Sequence, residues 1–290
     1  MNLSSENINC GIIGLGFVGS AIKAAFEKKY NVQTFDISKE STCKTLEILV
    51  KKCKIIFICL PTPMNNDGSC NYSAVEDTIN QINIISKEFS LARIIAIKST
   101  IPIGTTELFQ SEFKNVDIFF NPEFLTEANS VNDFANQNRI ILGGGKKSIS
   151  ELSNFYSNIF PNVPIVETNG KTAEMVKYLS NAFLATKVSF ANEIYDFCKH
   201  ISIDYNEVIK YAIFDERLGK THWKVPGPDG SRGYGGSCFP KDISSLVKQF
   251  EDYKISSYII KSSLKRNNEV DRPDKDWKKL KGRAVAEKNT

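Results

Sequence analysis

Histidine is scarce in this chain of 290 residues: His200 and His222 are the only two. The seven cysteines are scattered and no two form a Cys-x-x-Cys pair. Together these shortages argue against a zinc site and give no metal ligands to assign. No apolar run reaches the ~18 residues of a membrane span. The opening Met1-Asn2-Leu3-Ser4-Ser5-Glu6 is polar, where a secretory signal needs a basic start and an apolar stretch. The expected location is the cytosol, with no membrane partner and with most thiols reduced and buried as small apolar residues. Charge of one sign is also lacking. The excess of 37 basic over 33 acidic residues leaves a net +4, too small to argue for nucleic acid. What is present is 41% hydrophobic and 24% charged, the balance of an ordinary globular protein. The length suits about two domains at ~150 residues each.

The first half alternates strand and helix. Residues 8–13, 31–36, 54–60, 93–98, 116–120 and 139–143 read as strands, and residues 19–29 and 73–86 as helices. The Val/Ile-rich strands are apolar on both faces, as parallel strands covered by helices require. The expectation is an α/β fold: an N-terminal Rossmann-like, doubly wound parallel sheet over residues 1–168. Residues 171–200 hold no Gly or Pro and carry apolar positions at helical spacing. They predict a long central helix of ~45 Å at 1.5 Å per residue. Helices over 205–214 and from about Asp242 complete a small all-α domain, residues 169–272. A charged tail, 273–290, follows.

Gly14-Leu15-Gly16-Phe17-Val18-Gly19 stands between the first strand and helix, and Asp36 ends the next strand about 20 residues later. Gly14 suits the tight turn, Gly16 the approach of a pyrophosphate and Gly19 the packing of helix on sheet. The helix N-terminus favours phosphate. Asp36 suits the ribose hydroxyls and repels a 2′-phosphate, so NAD is preferred over NADP. The plainer alternative is a structural glycine turn.

Gly233-Tyr234-Gly235-Gly236-Ser237-Cys238-Phe239-Pro240-Lys241-Asp242 clears space around Cys238 and then opens a helix, whose dipole favours thiolate. Lys241 adds positive charge. A thiolate here can attack an aldehyde, and hydride loss then gives a thioester. Alone, Cys238 reads as a structural thiol; the glycines and the nucleotide motif favour the nucleophile. Lys177 and Asn181, four apart on the long helix, could stabilise an oxyanion together, or simply form a solvated face. Glu123 and Glu127 follow a strand end in Asn121-Pro122-Glu123-Phe124-Leu125-Thr126-Glu127, where they could assist proton transfer or cap a helix. Thr100, in Lys98-Ser99-Thr100-Ile101-Pro102, also follows a strand and could equally be a turn hydroxyl.

These motifs, with Leu60-Pro61-Thr62-Pro63 and Asp67-Gly68, stand in an order that resembles the nucleotide-sugar dehydrogenases typified by UDP-glucose 6-dehydrogenase, along almost the whole chain. The resemblance implies NAD-dependent, four-electron oxidation of a nucleotide-sugar C6 alcohol to the carboxylate, with UDP-glucose as the first substrate expected. It makes Cys238 the nucleophile, Lys177 the oxyanion stabiliser with Asn181, and Asp242 the acid that works with Lys177 and water in thioester hydrolysis. Glu123 becomes a substrate-side residue handling a proton, Thr100 a group near the reacting centre, and Gly235 part of the loop that closes on the sugar. Cofactor contacts fall on Gly14, Gly16, Phe17, Val18, Gly19, Asp36, Thr62, Thr100, Glu127 and Lys241. A homodimer through the long helix is implied.

Family members usually continue into a further Rossmann-like domain that holds the nucleotide. Residues 279–285 resemble its first strand, so the expectation is a short form whose residues 283–290 have nothing to pair with and are mobile. Arg232 could meet a phosphate, or be a solvated loop arginine. A noncatalytic NAD-fold subunit remains the alternative function, and a two-electron hydroxyacid dehydrogenase a more distant one.

Overall fold

The structure is a computed structural model that describes residues 9–287. Ile8, the polar opening residues and the last three residues of the tail lie outside the described residues. Seven strands form one sheet: β1 (Asn9–Ile13), β2 (Asn31–Phe35), β3 (Ile55–Ile58), β4 (Arg93–Ile97), β5 (Val116–Phe120), β6 (Ile140–Gly144) and β7 (Ile165–Thr168), in the order β2-β1-β3-β4-β5-β6-β7. The first five are parallel. Their register stacks Ile12, Phe57, Ala96 and Phe119 in one row, and Ile13, Ile58, Ile97 and Phe120 in the next. Because side chains alternate along a strand, these rows face opposite sides. The first packs under α1 (Phe17–Phe26) and α6 (Ile149–Ile159), with Ile22, Phe26, Phe155 and Tyr156. The second meets Leu49 of α2 (Leu46–Lys52), Ile79 and Ile82 of α3 (Ser73–Glu88) and Phe109 of α4 (Thr105–Glu112). Burial on both faces is what the near-continuous apolar strands require.

The parallel rule breaks once. β6 runs antiparallel to β5, pairing Phe119 with Gly144 and Phe120 with Gly143. Their connection holds only a 3-10 turn (Glu127–Asn129) and the short α5 (Ser130–Ala135), which packs on α1. No full crossover helix brings the chain back to restart in parallel. The sequence pattern does not mark α2, α5, α6 or β7. β7 is a four-residue edge strand whose two middle residues are exposed and whose ends are half-buried, so it carries no alternating burial pattern.

The described residues divide into two compact units. The first comprises the chain up to Thr62 with Tyr72–Lys177; the second comprises Pro63–Asn71 with the chain from Tyr178 onward. The long helix α7 (Gly170–His200) gives its start to the first unit and the rest to the second. The second unit adds α8 (Tyr205–Ala212), α9 (Phe239–Asp252) and α10 (Tyr258–Arg266). Its apolar clusters are small, around Tyr205 and Val225 and around Tyr234 and Ile243. Polar ties supplement them. Asn267 accepts from the Tyr234 amide at 2.8 Å and donates to its carbonyl at 3.0 Å.

The tail departs from expectation. Val285 bridges in parallel to Met64, whose amide donates to the Ala284 carbonyl at 2.9 Å and whose carbonyl accepts from Ala286 at 2.8 Å. Ala284 is fully buried. The tail finds its pairing partner in the 63–71 segment, more than two hundred residues away in sequence, where sequence reasoning saw none.

Candidate active site

The nucleotide loop lies in the first unit, between β1 and α1. Gly14 sits at φ +88°, a conformation glycine adopts freely, and a Cβ there would stand 2.6 Å from the Cys59 carbonyl oxygen. At Gly19 a Cβ would fall 1.9 Å from the Gly14 oxygen, so only glycine allows α1 to start so close to the turn. Gly16 differs: it is exposed, and nothing lies within 4 Å of where its Cβ would stand. It is also the N-cap of α1, whose start carries no side-chain cap. Open space beside uncapped helix amides fits a pyrophosphate. Phe17 and Val18 are half-buried in the first turn, and Thr62 is buried at the end of this part of the unit.

Asp36 follows β2 as expected, but its carboxylate is engaged. Oδ2 accepts from the Leu15 amide at 2.6 Å, and Oδ1 from the Ser38 amide, the Ser38 hydroxyl and the Lys39 amide. Burial pushes this carboxyl up, yet the four donors prevail and hold it below its usual value. Lys39 Nζ completes the clamp on the Leu15 carbonyl at 2.6 Å. Asp36 is thus a brace for the glycine turn, and a ribose hydroxyl would donate to this carboxylate beside these donors or in place of one of them.

Glu123 and Lys177 meet in the same unit. Lys177 Nζ donates to the Glu123 carbonyl at 2.6 Å and to its Oε1 at 2.9 Å, and both residues are buried. Glu123 Oε2 accepts from the Leu125 amide at 2.7 Å. Glu123 caps no helix and Lys177 lies on no solvated face. Thr100 is buried after β4, whereas Glu127 is exposed in its 3-10 turn. Two buried groups in this unit went unflagged. Lys98 Nζ donates to Asn121 Oδ1 at 3.1 Å. Glu174 on α7 accepts from the Gly104 amide (2.5 Å), the Thr106 amide (2.8 Å) and the Thr106 hydroxyl (2.6 Å), capping α4 from outside its own segment.

The second unit holds the cysteine loop. Cys238 is half-buried and is the N-cap residue of α9, with Pro240 in the first turn. One turn on, buried Asp242 accepts from Lys241 Nζ on Oδ1 at 2.5 Å and from Asn181 Nδ2 on Oδ2 at 2.6 Å. Burial alone would lower Lys241; Asp242, with Cys238 and Cys70 in electrostatic reach, holds it above its ordinary value instead. A Cβ on Gly235 would stand 2.5 Å from the Arg272 guanidinium carbon, so this glycine admits the arginine beside the loop. Arg232 is committed to Asp196 (2.7 Å) and Asp271 (3.0 Å), with Arg266 joining the same two carboxylates. Its guanidinium is engaged by carboxylates, so it is neither a freely solvated loop arginine nor a cation left open for a phosphate. Among the described residues no cluster of His, Cys, Asp and Glu could hold a metal ion, and no helix is long and apolar enough to cross a membrane.

The sheet order, the glycine turn and the acid ending β2 define a dinucleotide-binding α/β domain, followed here by a helical unit with a cysteine at a helix start. The chain belongs to the UDP-glucose/GDP-mannose dehydrogenase family: residues 41–160 match its NAD binding domain and residues 171–269 its central domain. UDP-glucose 6-dehydrogenase YwqF of Bacillus subtilis is 35% identical over 222 residues, 74% of this chain and 48% of that protein. The UDP-glucose 6-dehydrogenase of Rickettsia typhi is 35% identical over 218 residues, 73% of this chain and 48% of that protein. The chain spans about half the length of these curated relatives. Among solved structures, a UDP-glucose dehydrogenase from Pyrobaculum islandicum superposes with a TM-score of 0.82 at 26% identity, covering 93% of this chain and 70% of that one.

Proposed function

We propose that this chain is an NAD-dependent nucleotide-sugar 6-dehydrogenase that converts UDP-glucose to UDP-glucuronate. NAD, when bound, accepts a hydride in each of two oxidations. The chain's residues do the rest. Cys238 adds to the C6 aldehyde as thiolate, giving a thiohemiacetal. Loss of hydride from that carbon leaves a thioester, and water releases the carboxylate and the thiol. Lys177 and Asn181 hold the oxyanion, Glu123 handles the proton through water, and Asp242 works with Lys177 on the hydrolytic water. Thr100 lies near the reacting carbon and Gly235 lets the loop close on the sugar. Residues 1–168 carry the cofactor contacts other than Lys241, residues 169–272 carry the thiol chemistry with Lys241, and residues 273–290 form the tail.

The observation that carries this reading is the charge set at the start of α9. Asp242 is buried between Asn181 and Lys241, one turn from Cys238. A fold gains little from a buried ion pair, which an apolar pair of similar size would replace at no cost. A cysteine that must ionise gains from the lysine. Relatives named UDP-glucose 6-dehydrogenase support the substrate.

The test counts NADH formed per sugar consumed across a panel of nucleotide sugars. Two NADH per UDP-glucose, abolished by Cys238→Ala, is the expected result. NAD binding without NADH from any sugar would favour the noncatalytic alternative, and NADH from a different sugar would reassign the substrate.

A homodimer is part of the proposal. Leu179, Phe183, Phe190 and Phe197 recur along one face of α7 and are each more than half exposed. A monomeric mass by light scattering would remove this claim.

A further inference from the structure

Lys98 is 3% exposed, at the end of β4. Its Nζ donates to Asn121 Oδ1, an oxygen that also accepts the Tyr156 hydroxyl. Asn121 in turn donates to the Ile141 carbonyl at 2.8 Å. Among the described residues Lys98 forms no ion pair, although a buried ammonium without a carboxylate is costly. A methionine would fill this place without that cost, so the charge itself calls for a purpose.

The groups that act on Lys98 come from four elements. Cys59 lies just beyond β3, Glu123 follows β5, Lys177 stands on α7, and Tyr156 of α6 shares Asn121. Burial pushes Cys59 up to about 12 and Tyr156 well above its ordinary value, so both are neutral near pH 7. Two ammonium groups therefore act on one carboxylate: Lys177 holds Glu123 at 2.9 Å, and Lys98 is bonded to Asn121, two residues before Glu123 in the chain.

We propose that Lys98 is a positioning residue for the Glu123–Lys177 pair, supplying a second buried positive charge that favours negative charge developing on a reacting oxygen beside Lys177. The Glu123–Lys177 pair balances its own two charges, and Lys98 adds one positive charge to them inside low-dielectric surroundings, where fixed charges act most strongly. The charge is conditional. Burial lowers Lys98 to about 8, with Glu123 opposing the fall and Lys177 adding to it. The extra charge is present at neutral pH and is lost as the pH passes that value.

The inference rests on the dehydrogenase reading for its rate effect, not for its charge effect, so two readouts separate them. First, lysine labelled with 13C at Cε is titrated by NMR, with Lys98 assigned from Lys98→Met. A Lys98 midpoint near pH 8 that rises in Lys177→Met is expected. Second, NADH formation from UDP-glucose is compared between wild type, Lys98→Met and Lys98→Arg from pH 6.5 to 9. Wild type is expected to exceed Lys98→Met on the order of tenfold at pH 6.5 and to converge with it above pH 8.5. Lys98→Arg should match wild type at low pH and exceed it at high pH. A Lys98 midpoint at the ordinary lysine value, or a wild-type to Lys98→Met ratio that does not change with pH, would overturn the proposal. A shifted midpoint with no NADH from any sugar would leave the charge in place and remove the dehydrogenase reading.

Discussion

Asp242→Asn isolates the buried pair at the head of α9. The substitution keeps the shape and leaves a partner for Asn181, but it strands Lys241, whose side chain is 11% exposed. Breaking a buried pair from one side costs about 3–5 kcal/mol, because the remaining charge has no counter-ion. With a urea slope near 2 kcal/mol/M, the unfolding midpoint should fall by roughly 2 M. Both tryptophans, Trp223 and Trp277, lie in the second unit, so their fluorescence reports that unit alone. The pH dependence follows from Lys241. Asp242 overrides burial and holds this lysine above its ordinary value. A group so raised stabilises the fold fully below its unfolded value, ~10.4, and loses that contribution as the pH climbs through the folded one. In the variant, burial without Asp242 lets Lys241 shed its proton earlier. The gap between wild type and Asp242→Asn should therefore be widest near pH 6–7 and narrow steadily toward pH 10. A loss below about 1 kcal/mol at pH 7, or a gap independent of pH, would show that the pair is solvated and that Cys238 has no buried cation beside it.

Other expectations follow from the same contacts. Gly19→Ala should displace the nucleotide turn and weaken NAD binding at least tenfold, about 1.4 kcal/mol, read by calorimetry against an unchanged far-ultraviolet circular dichroism spectrum. Glu174→Ala should cost about 2–4 kcal/mol by orphaning the donors of Gly104 and Thr106. Burial raises Glu174 despite those donors, so its contribution falls as the pH rises through the elevated value; Glu174→Gln should remove that slope from urea midpoints taken between pH 4.5 and 7. In native protein at pH 7.5, iodoacetamide should spare Cys10, Cys53 and Cys59, whose thiols burial pushes up, and modify Cys238 at a rate that Lys241→Met reduces.

Much of the first unit is legible in the sequence because its signals are local. The apolar runs are buried on both faces of a parallel sheet, and Gly14 and Gly19 stand where steric contact permits nothing else. What escapes is set by distant partners. β7 borrows its place from β6 and shows no burial pattern of its own. Val285 pairs with Met64, more than two hundred residues away in the chain. Arg232 invites a phosphate until Asp196 and Asp271 are seen beside it. The site was partly legible for the same reason. Lys177 and Asn181 share a helical face by spacing alone, but that Glu123 meets Lys177, and that Asp242 sits between Asn181 and Lys241, depends on segments joined only by folding. In the sequence Lys98 is one more residue of a motif, and only its burial without an ion pair among the described residues marks it.

The central claim is that Cys238 carries the substrate. The most direct measurement is acid quenching of the protein during incubation with UDP-glucose and NAD, followed by mass spectrometry of the peptide that contains Cys238. The expected result is a fraction of that peptide carrying the nucleotide-sugar acyl mass, released by hydroxylamine and lacking in Cys238→Ala. Turnover that yields two NADH per sugar with full rate in Cys238→Ala, and no added mass at this peptide, would contradict the thioester route.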